Sequence, residues 1–376
     1  MTLKEVSFEY TMKHILTLPS YAKYSLFLVG IYVLVSMLFI AQDILLPLIY
    51  ATLIAILLSP VVDFLTRKKI NRALAIALTL SLVLIILAVC VFLISSQATL
   101  LSEAWPSLIF KLKELLHQST TWISVNFHID SQQIDTEISK AKMEMNTNSN
   151  KVIGFTVSTV GSILSSVFLF PVYIFMILYY HNHLLEFIHQ LFGAQNGNQV
   201  SAVLSETKKI IQSYLIGLVA ELAIVSILNS IGLLLLGIDY AILLGILGAF
   251  LNVIPYLGGI IAMAIFMTIA LLTKSPVYVL YVAALYTVIQ LIDNNYIVPK
   301  IVGSKVKLNA LVSLLVVIAG AGLWGIPGMF LSIPITAIIK VICDHVVQLK
   351  PLGFVLGNTV NNNSTTKNIN LSKHSN

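Results

Sequence analysis

Between Asp239 and Lys274 the chain runs for thirty-four residues without a charge, and inside that run the apolar sequence breaks at Asn252-Val253-Ile254-Pro255-Tyr256-Leu257-Gly258-Gly259. One helix crossing ~30 Å of hydrocarbon takes ~20 residues, so the run is too long for a single simple crossing and carries residues that stop a helix. A second uncharged run, Leu308 to Ile339, breaks in the same way at Trp324-Gly325-Ile326-Pro327-Gly328. Laid over one another, Gly248 to Pro255 and Gly320 to Pro327 match at Gly, Ala, Leu, Ile and Pro, five positions in eight. A conventional apolar segment precedes each break, Ile210 to Ile238 and Ser275 to Ile292. The pattern predicts a span plus a broken hairpin, twice, as an inverted repeat would place them. Paired Gly/Pro-interrupted segments of this kind point to the solute site of a secondary transporter.

Hydrophobic residues make up 58% of the chain and charged ones 10%, and the mean hydropathy of +0.93 excludes a water-soluble globule. The expected fold class is therefore all-α, a polytopic helical membrane protein of about eight hydrophobic segments. The net charge of +6 sits in loops between apolar runs, so it reports topology and implies no nucleic acid. Cys90 and Cys343 lie far apart in or beside apolar runs, which indicates no disulfide framework. The expected organisation is a cytoplasmic segment over 1–23, three transmembrane helices over 24–102, an extracytoplasmic amphipathic region over 103–151, a core over 152–350 holding the broken stretches 240–273 and 308–339, and a largely disordered cytoplasmic tail over 351–376. The run before the first apolar segment is polar, which argues against a secretory signal.

Arg67, Lys68, Lys69 and Arg72 crowd the loop after the second span and mark it as cytoplasmic. If each broken stretch crosses once, Lys and Arg divide 14 inside and 8 outside; if each is re-entrant, they divide 16 and 6. The positive-inside rule thus favours hairpins inserted from opposite faces, with both termini cytoplasmic.

Polar side chains stand out against this background. Gln290, Asp293, Asn294 and Asn295 fall within six residues at the edge of the apolar segment Ser275 to Ile292 and around the loop after it. Unsatisfied polar groups are costly there, so these must face protein, water or ligand. Amides with a carboxylate suit a hard cation or a polyhydroxylated solute; the same residues could simply cap a helix before Pro299. Glu221 lies eleven residues into its span, with Asn229 two turns on, so it is either an intramembrane proton carrier or an interfacial residue. His181, His183, Glu186 and His189 are metal-ligand types, but their i, i+3, i+6 spacing spreads them around a helix and favours an interfacial amphipathic segment over a metal site. No metal or cofactor is expected, and no motif of a membrane protease, phosphate loop or redox pair supports an enzyme.

Together, Pro60-Val61-Val62-Asp63-Phe64-Leu65 before the basic loop, Pro255-Tyr256-Leu257-Gly258, the run from Gln290 through Asp293-Asn294-Asn295 to Pro299 and Gly303, and the segment Gly320 to Pro334 resemble the autoinducer-2 exporter (AI-2E) family. The resemblance covers roughly residues 24–350. It implies a bacterial inner-membrane protein that assembles as a homo-oligomer, such as a pentamer, and exports small solutes. Asn309-Ala310 stands where many members have His-Pro, which marks a divergent branch. Some relatives resemble sodium or lithium/proton antiporters, a role for which Glu221 or Asp293 would be the coupling carboxylate.

The expected partners are the lipid bilayer, a small polar solute and further copies of the chain. The expected solute path runs where the breaks meet, along Asn252, Pro255, Tyr256, Gly258, Gln290, Asp293, Asn294, Asn295, Pro299, Gly325 and Pro327. A non-transporting membrane scaffold working through residues 103–151 is the rival from another class, and it has no need of polar residues in broken segments.

Overall fold

The computed structural model describes residues 19–127, 169–192, 196–255, 257–303 and 308–357. The described residues are almost entirely helical: α1 Ser20–Ile40, α2 Gln42–Arg67, α3 Arg72–Phe127, α4 Leu169–Tyr179, α5 His181–Phe192, α6 Gly197–Leu235, α7 Ala241–Asn252, α8 Leu257–Thr273, α9 Pro276–Ile292, a π-helix Asp293–Gly303, α10 Ala310–His345, a 3-10 turn Val347–Leu349 and α11 Lys350–Leu356. Six of these helices are long and apolar enough to cross a membrane. The chain is a polytopic helical membrane protein.

Two compact units divide the chain, Met1–Leu46 and Pro47–Asn376. Within the first, α1 buries none of its residues; a predominantly apolar helix left uncovered suits lipid rather than water. Within the second, α2, α3 and α4 share a core. Ala51, Ala55, Leu58 and Val62 recur at i, i+4, i+7 and i+11 and meet Ala75, Ile76, Leu80, Ile174 and Leu178. Small residues let these backbones approach, as apolar burial alone cannot drive helices together in lipid. Arg72 closes the bundle by donating from Nε and Nη2 to the carbonyl of Leu178, at 3.2 and 2.9 Å. A guanidinium there satisfies a carbonyl at the end of α4 and opposes the helix dipole.

Both broken stretches fold back on themselves. In a continuous helix Gly248 and Phe266 would lie ~27 Å apart, yet a Cβ on Gly248 would fall 2.4 Å from the Phe266 ring. The bend is at residues 253–255, and α7, with twelve residues, rises only ~18 Å, too little to cross. Within α10 the backbone leaves helical geometry at Trp324 (φ −136°) and Gly325 (φ 63°, ψ −141°). A positive φ of that kind is open to glycine and strained for other residues. The arms 310–323 and 326–345 then lie so close that a Cβ on Gly320 would stand 2.4 Å from the carbonyl oxygen of Gly328 and 2.1 Å from Ser332 Oγ. In the sequence overlay Val253 sits over Gly325, and the two bends overlap at that pair.

Elsewhere the structure departs from the sequence reading. The third span and the start of the outer amphipathic region are one helix of fifty-six residues, α3, with Pro106 inside it. The span before the first hairpin is continuous with the polar segment ahead of it, so α6 starts at Gly197 and runs thirty-nine residues. Gln290–Gly303 is not a loop: α9 passes into a π-helix that contains Pro299. Residues 128–168, which hold most of the expected outer region and the start of the fourth span, lie outside the described residues, as do Tyr256 and the tail beyond residue 357.

Candidate functional site

Four elements converge on a cavity of about 810 Å³. Helix α6 presents Tyr214, Leu218 and Glu221, at i, i+4 and i+7 on one face. The first hairpin presents Asn252, Val253 and Pro255 from its bend, with Gly259, Ile260 and Met263 behind them. Helix α9 and its π extension present Tyr286, Thr287, Gln290, Asp293, Asn294 and Val298, again one stripe. The second hairpin adds Ser313 and Ile333 from its two arms, and Leu308 precedes it.

A hydrogen-bond chain runs through the polar wall. Asn252 Nδ2 donates to Asp293 Oδ2 at 2.8 Å, and Gln290 Nε2 lies 3.4 Å from both Asn252 Oδ1 and Asn294 Oδ1. Asp293 is 1% exposed, and its Oδ1 has no partner among the described residues. A buried carboxylate oxygen left open is expensive, and such openings concentrate at sites with a job to do. Asp293 does not cap a helix, because the backbone continues helical through it; its side chain instead anchors the bend of the first hairpin. Glu221 is 8% exposed and lines the same cavity. Two turns on, Asn229 is 1% exposed with neither amide atom partnered among the described residues.

Asn252, Pro255, Gln290, Asp293, Asn294 and Glu221 are thus brought together. The other described residues of the expected path do not line the cavity. Asn295 is exposed and donates to the carbonyl of Leu291, 2.8 Å away, which turns it away from the cavity. Asn294, by contrast, lines the cavity. Gly258 is a packing position against Leu251, and Pro299 is exposed on the π-helix. Gly325 forms the second bend, and the carbonyl of Pro327 accepts from Tyr50 Oη at 3.0 Å, at a distance from the polar wall. Sequence reasoning missed Tyr214, Tyr286, Thr287 and Ser313. The usable signal was helical spacing, since Tyr214 is seven before Glu221 and Tyr286 four before Gln290.

Along α5, His181, His183, Glu186 and His189 share a strongly amphipathic helix. His181 is half-buried, and its pKa is lowered first by burial and then by Lys208 and Arg72, against an opposing pull from Asp63.

Broken helices around a cavity with polar groups at the bend are the construction of a membrane transport protein, in which irregular backbone is tolerated where it lines a cavity. The sequence matches the profile described as AI-2E family transporter over residues 23–348, and the chain belongs to that family. Its relatives include YueF of Bacillus subtilis (strain 168), named as a transport protein, at 24% identity over 81% of this chain and 84% of its own length. YhhT of Escherichia coli (strain K12), also named as a transport protein, is 25% identical over 84% of this chain and 89% of its own. PerM of the same organism, named as a permease, is 28% identical over 57% of this chain and 62% of its own.

Proposed function

We propose that this transporter carries a small polar solute outward across the bacterial cytoplasmic membrane through the cavity between α6, α9 and the two hairpins. The observation that carries the reading is the polar chain of half-buried Asn252 and Gln290, buried Asp293 and exposed Asn294 at the bend of a broken segment, polar chemistry that a scaffold would have no reason to keep in hydrocarbon. The Lys and Arg distribution favours both termini in the cytoplasm. Uncovered apolar helices are compatible with assembly of several copies, the homo-oligomer that the family resemblance suggests.

The test compares solutes released by cells producing the wild-type chain, Asn252→Ala, Asn294→Ala or Asn295→Ala, normalised to inserted protein. Release should fall for the first two and be kept for the third. Equal release from all four proteins would remove the cavity from the solute path.

A second reading, exchange of sodium or lithium for protons, is favoured by one specific observation: Glu221 and Asp293 share the cavity. In inverted vesicles Glu221→Gln would then abolish collapse of a proton gradient by added sodium or lithium salts. Unchanged collapse in that variant would exclude Glu221 as the coupling group.

A further inference from the structure

The charge balance of the cavity narrows what it can accept. Its titratable lining groups are Glu221 and Asp293, both nine-tenths buried or more, with Tyr214 and Tyr286; among the described lining residues none is Lys, Arg or His. Neither carboxylate belongs to an ion pair among the described residues, and Asp293 Oδ1 faces no donor among them. Carboxyl groups in a low-dielectric wall disfavour an anion, because each one that ionises repels it and no cation among the described lining residues compensates. A neutral polyol would meet hydrogen-bonding groups but would draw nothing from the charge these acids can carry.

Size then separates inorganic from organic cations. A hard metal ion wants about six oxygens at ~2.0–2.6 Å, and a bound water occupies only about 30 Å³. The cavity holds about 810 Å³, within the ~300–1,000 Å³ range of sites for small organic molecules. Most of its wall is apolar, including Leu218, Ile260 and Met263, and two tyrosine rings stand beside the acids. Aromatic faces attract a desolvated cation through their quadrupole. An acidic, aromatic end joined to an aliphatic wall fits a molecule with a cationic head and a carbon body.

We propose that the cavity binds a small organic ammonium ion, its head between Glu221 and Asp293 and its carbon body against Leu218, Ile260 and Met263. The proposal rests on the reading of this cavity as the solute path. The head would donate to the open Oδ1 of Asp293, while Asn252 keeps Oδ2 engaged.

The test uses the purified full chain with Cys90→Ser, Cys343→Ala and Thr287→Cys, labelled by a neutral methanethiosulfonate. Probes are n-butylammonium chloride, n-butanol, sodium butyrate and sodium chloride, the salts at equal ionic strength. A probe with a dissociation constant of about 5 mM slows labelling about threefold at ~10 mM. Butylammonium should protect and the other three should not, and protection should vanish in Asp293→Asn and in Glu221→Gln. Equal protection by butanol would overturn the proposal in favour of a neutral solute, and equal protection by sodium chloride in favour of a metal-ion site; both would leave the solute path intact. Labelling that no probe slows would overturn the proposal alone. A residue 287 that does not label at all would overturn the solute path with it. Should Thr287→Cys fail to fold, thermal stability of the wild-type chain supplies the second readout: a melting temperature raised by butylammonium over butanol supports the ammonium ion, and one that is not raised overturns it.

Discussion

Gly258 and Gly259 are neighbours at the start of α8, and the fold of the first hairpin demands opposite outcomes from the same substitution. A Cβ on Gly258 would stand 1.7 Å from the carbonyl oxygen of Leu251, 2.4 Å from its carbon and 3.0 Å from Asn252 N. All three are backbone atoms of the opposing arm, so no rotamer change relieves the clash and the arms must part. Overpacking of this kind costs ~1–3 kcal/mol, here toward the upper end, against a helix-propensity gain of up to ~1 kcal/mol for Gly→Ala. The net loss is about 2 kcal/mol, a fall of roughly 4 °C or somewhat more in melting temperature at ~2–4 °C per kcal/mol. The nearest atoms to a Cβ on Gly259 are side-chain ones, Tyr286 Oη at 3.3 Å, Gln290 Oε1 at 3.5 Å and Asn252 Oδ1 at 3.6 Å. Gly259→Ala should therefore keep wild-type stability within ~1 kcal/mol while narrowing the cavity, so that solute handling changes and folding does not. The assay is thermal unfolding of each detergent-solubilised variant, followed by tryptophan fluorescence, beside flux per inserted protein. If Gly258→Ala melts with Gly259→Ala, the arms are not in backbone contact and the hairpin is refuted.

The second hairpin yields a parallel pair: Gly320→Ala, whose Cβ would meet Gly328 and Ser332, should lose ~1–3 kcal/mol, whereas Gly322→Ala, with nothing within 4 Å, should be neutral or slightly stabilising in the same melt. Replacing Arg72 with Ala removes both bonds to the Leu178 carbonyl and should cost ~1.5–3 kcal/mol, as charged hydrogen bonds do; a melting temperature equal to wild type would show that the carbonyl is otherwise satisfied. Because the His181 pKa is held below its ordinary 6.5, the unfolded chain binds the extra proton first. Stability is therefore present above pH 6.5 and lost as pH falls below it, and the difference in melting temperature between wild type and His181→Gln should shift against wild type on going from pH 7.5 to 5.5.

What the sequence made legible follows from the cost of breaking a rule in hydrocarbon. Gly and Pro in an uncharged run, and Asn252, Gln290, Asp293, Asn294 and Glu221 in apolar segments, each need an explanation in a bilayer, and the structure supplies it with two bends and one polar cavity. Tyrosine breaks no rule in a membrane helix, so Tyr214 and Tyr286 became recognisable as lining residues only through packing. Asn295 adjoins Asn294 in the chain, and only its bond to the Leu291 carbonyl separates it from the cavity, a contact that sequence does not announce. Nothing in Asp293–Gly303 announced that helix would continue past Pro299, because a π-helix is stabilised by its surroundings and has no strong local signature.

The two hairpins share a bend and not a chemistry. At the first bend stands Asn252, which holds Asp293; at the matching position of the second stands Trp324, and the adjoining Pro327 is tied to α2 through Tyr50, whose ring also stacks on Phe330 at 5.6 Å. The repeat therefore supplies one polar arm and one anchored arm. Any displacement of the first bend from α9 must break the 2.8 Å bond between Asn252 and Asp293, leaving a buried carboxylate with neither oxygen paired, at a cost of ~1–3 kcal/mol or more for a charged group. In the proposed reading a bound cationic head offsets that cost, since it engages the oxygen that Asn252 leaves open. Occupancy of the cavity and position of the first hairpin are then linked through one residue, Asp293, whichever way the solute travels.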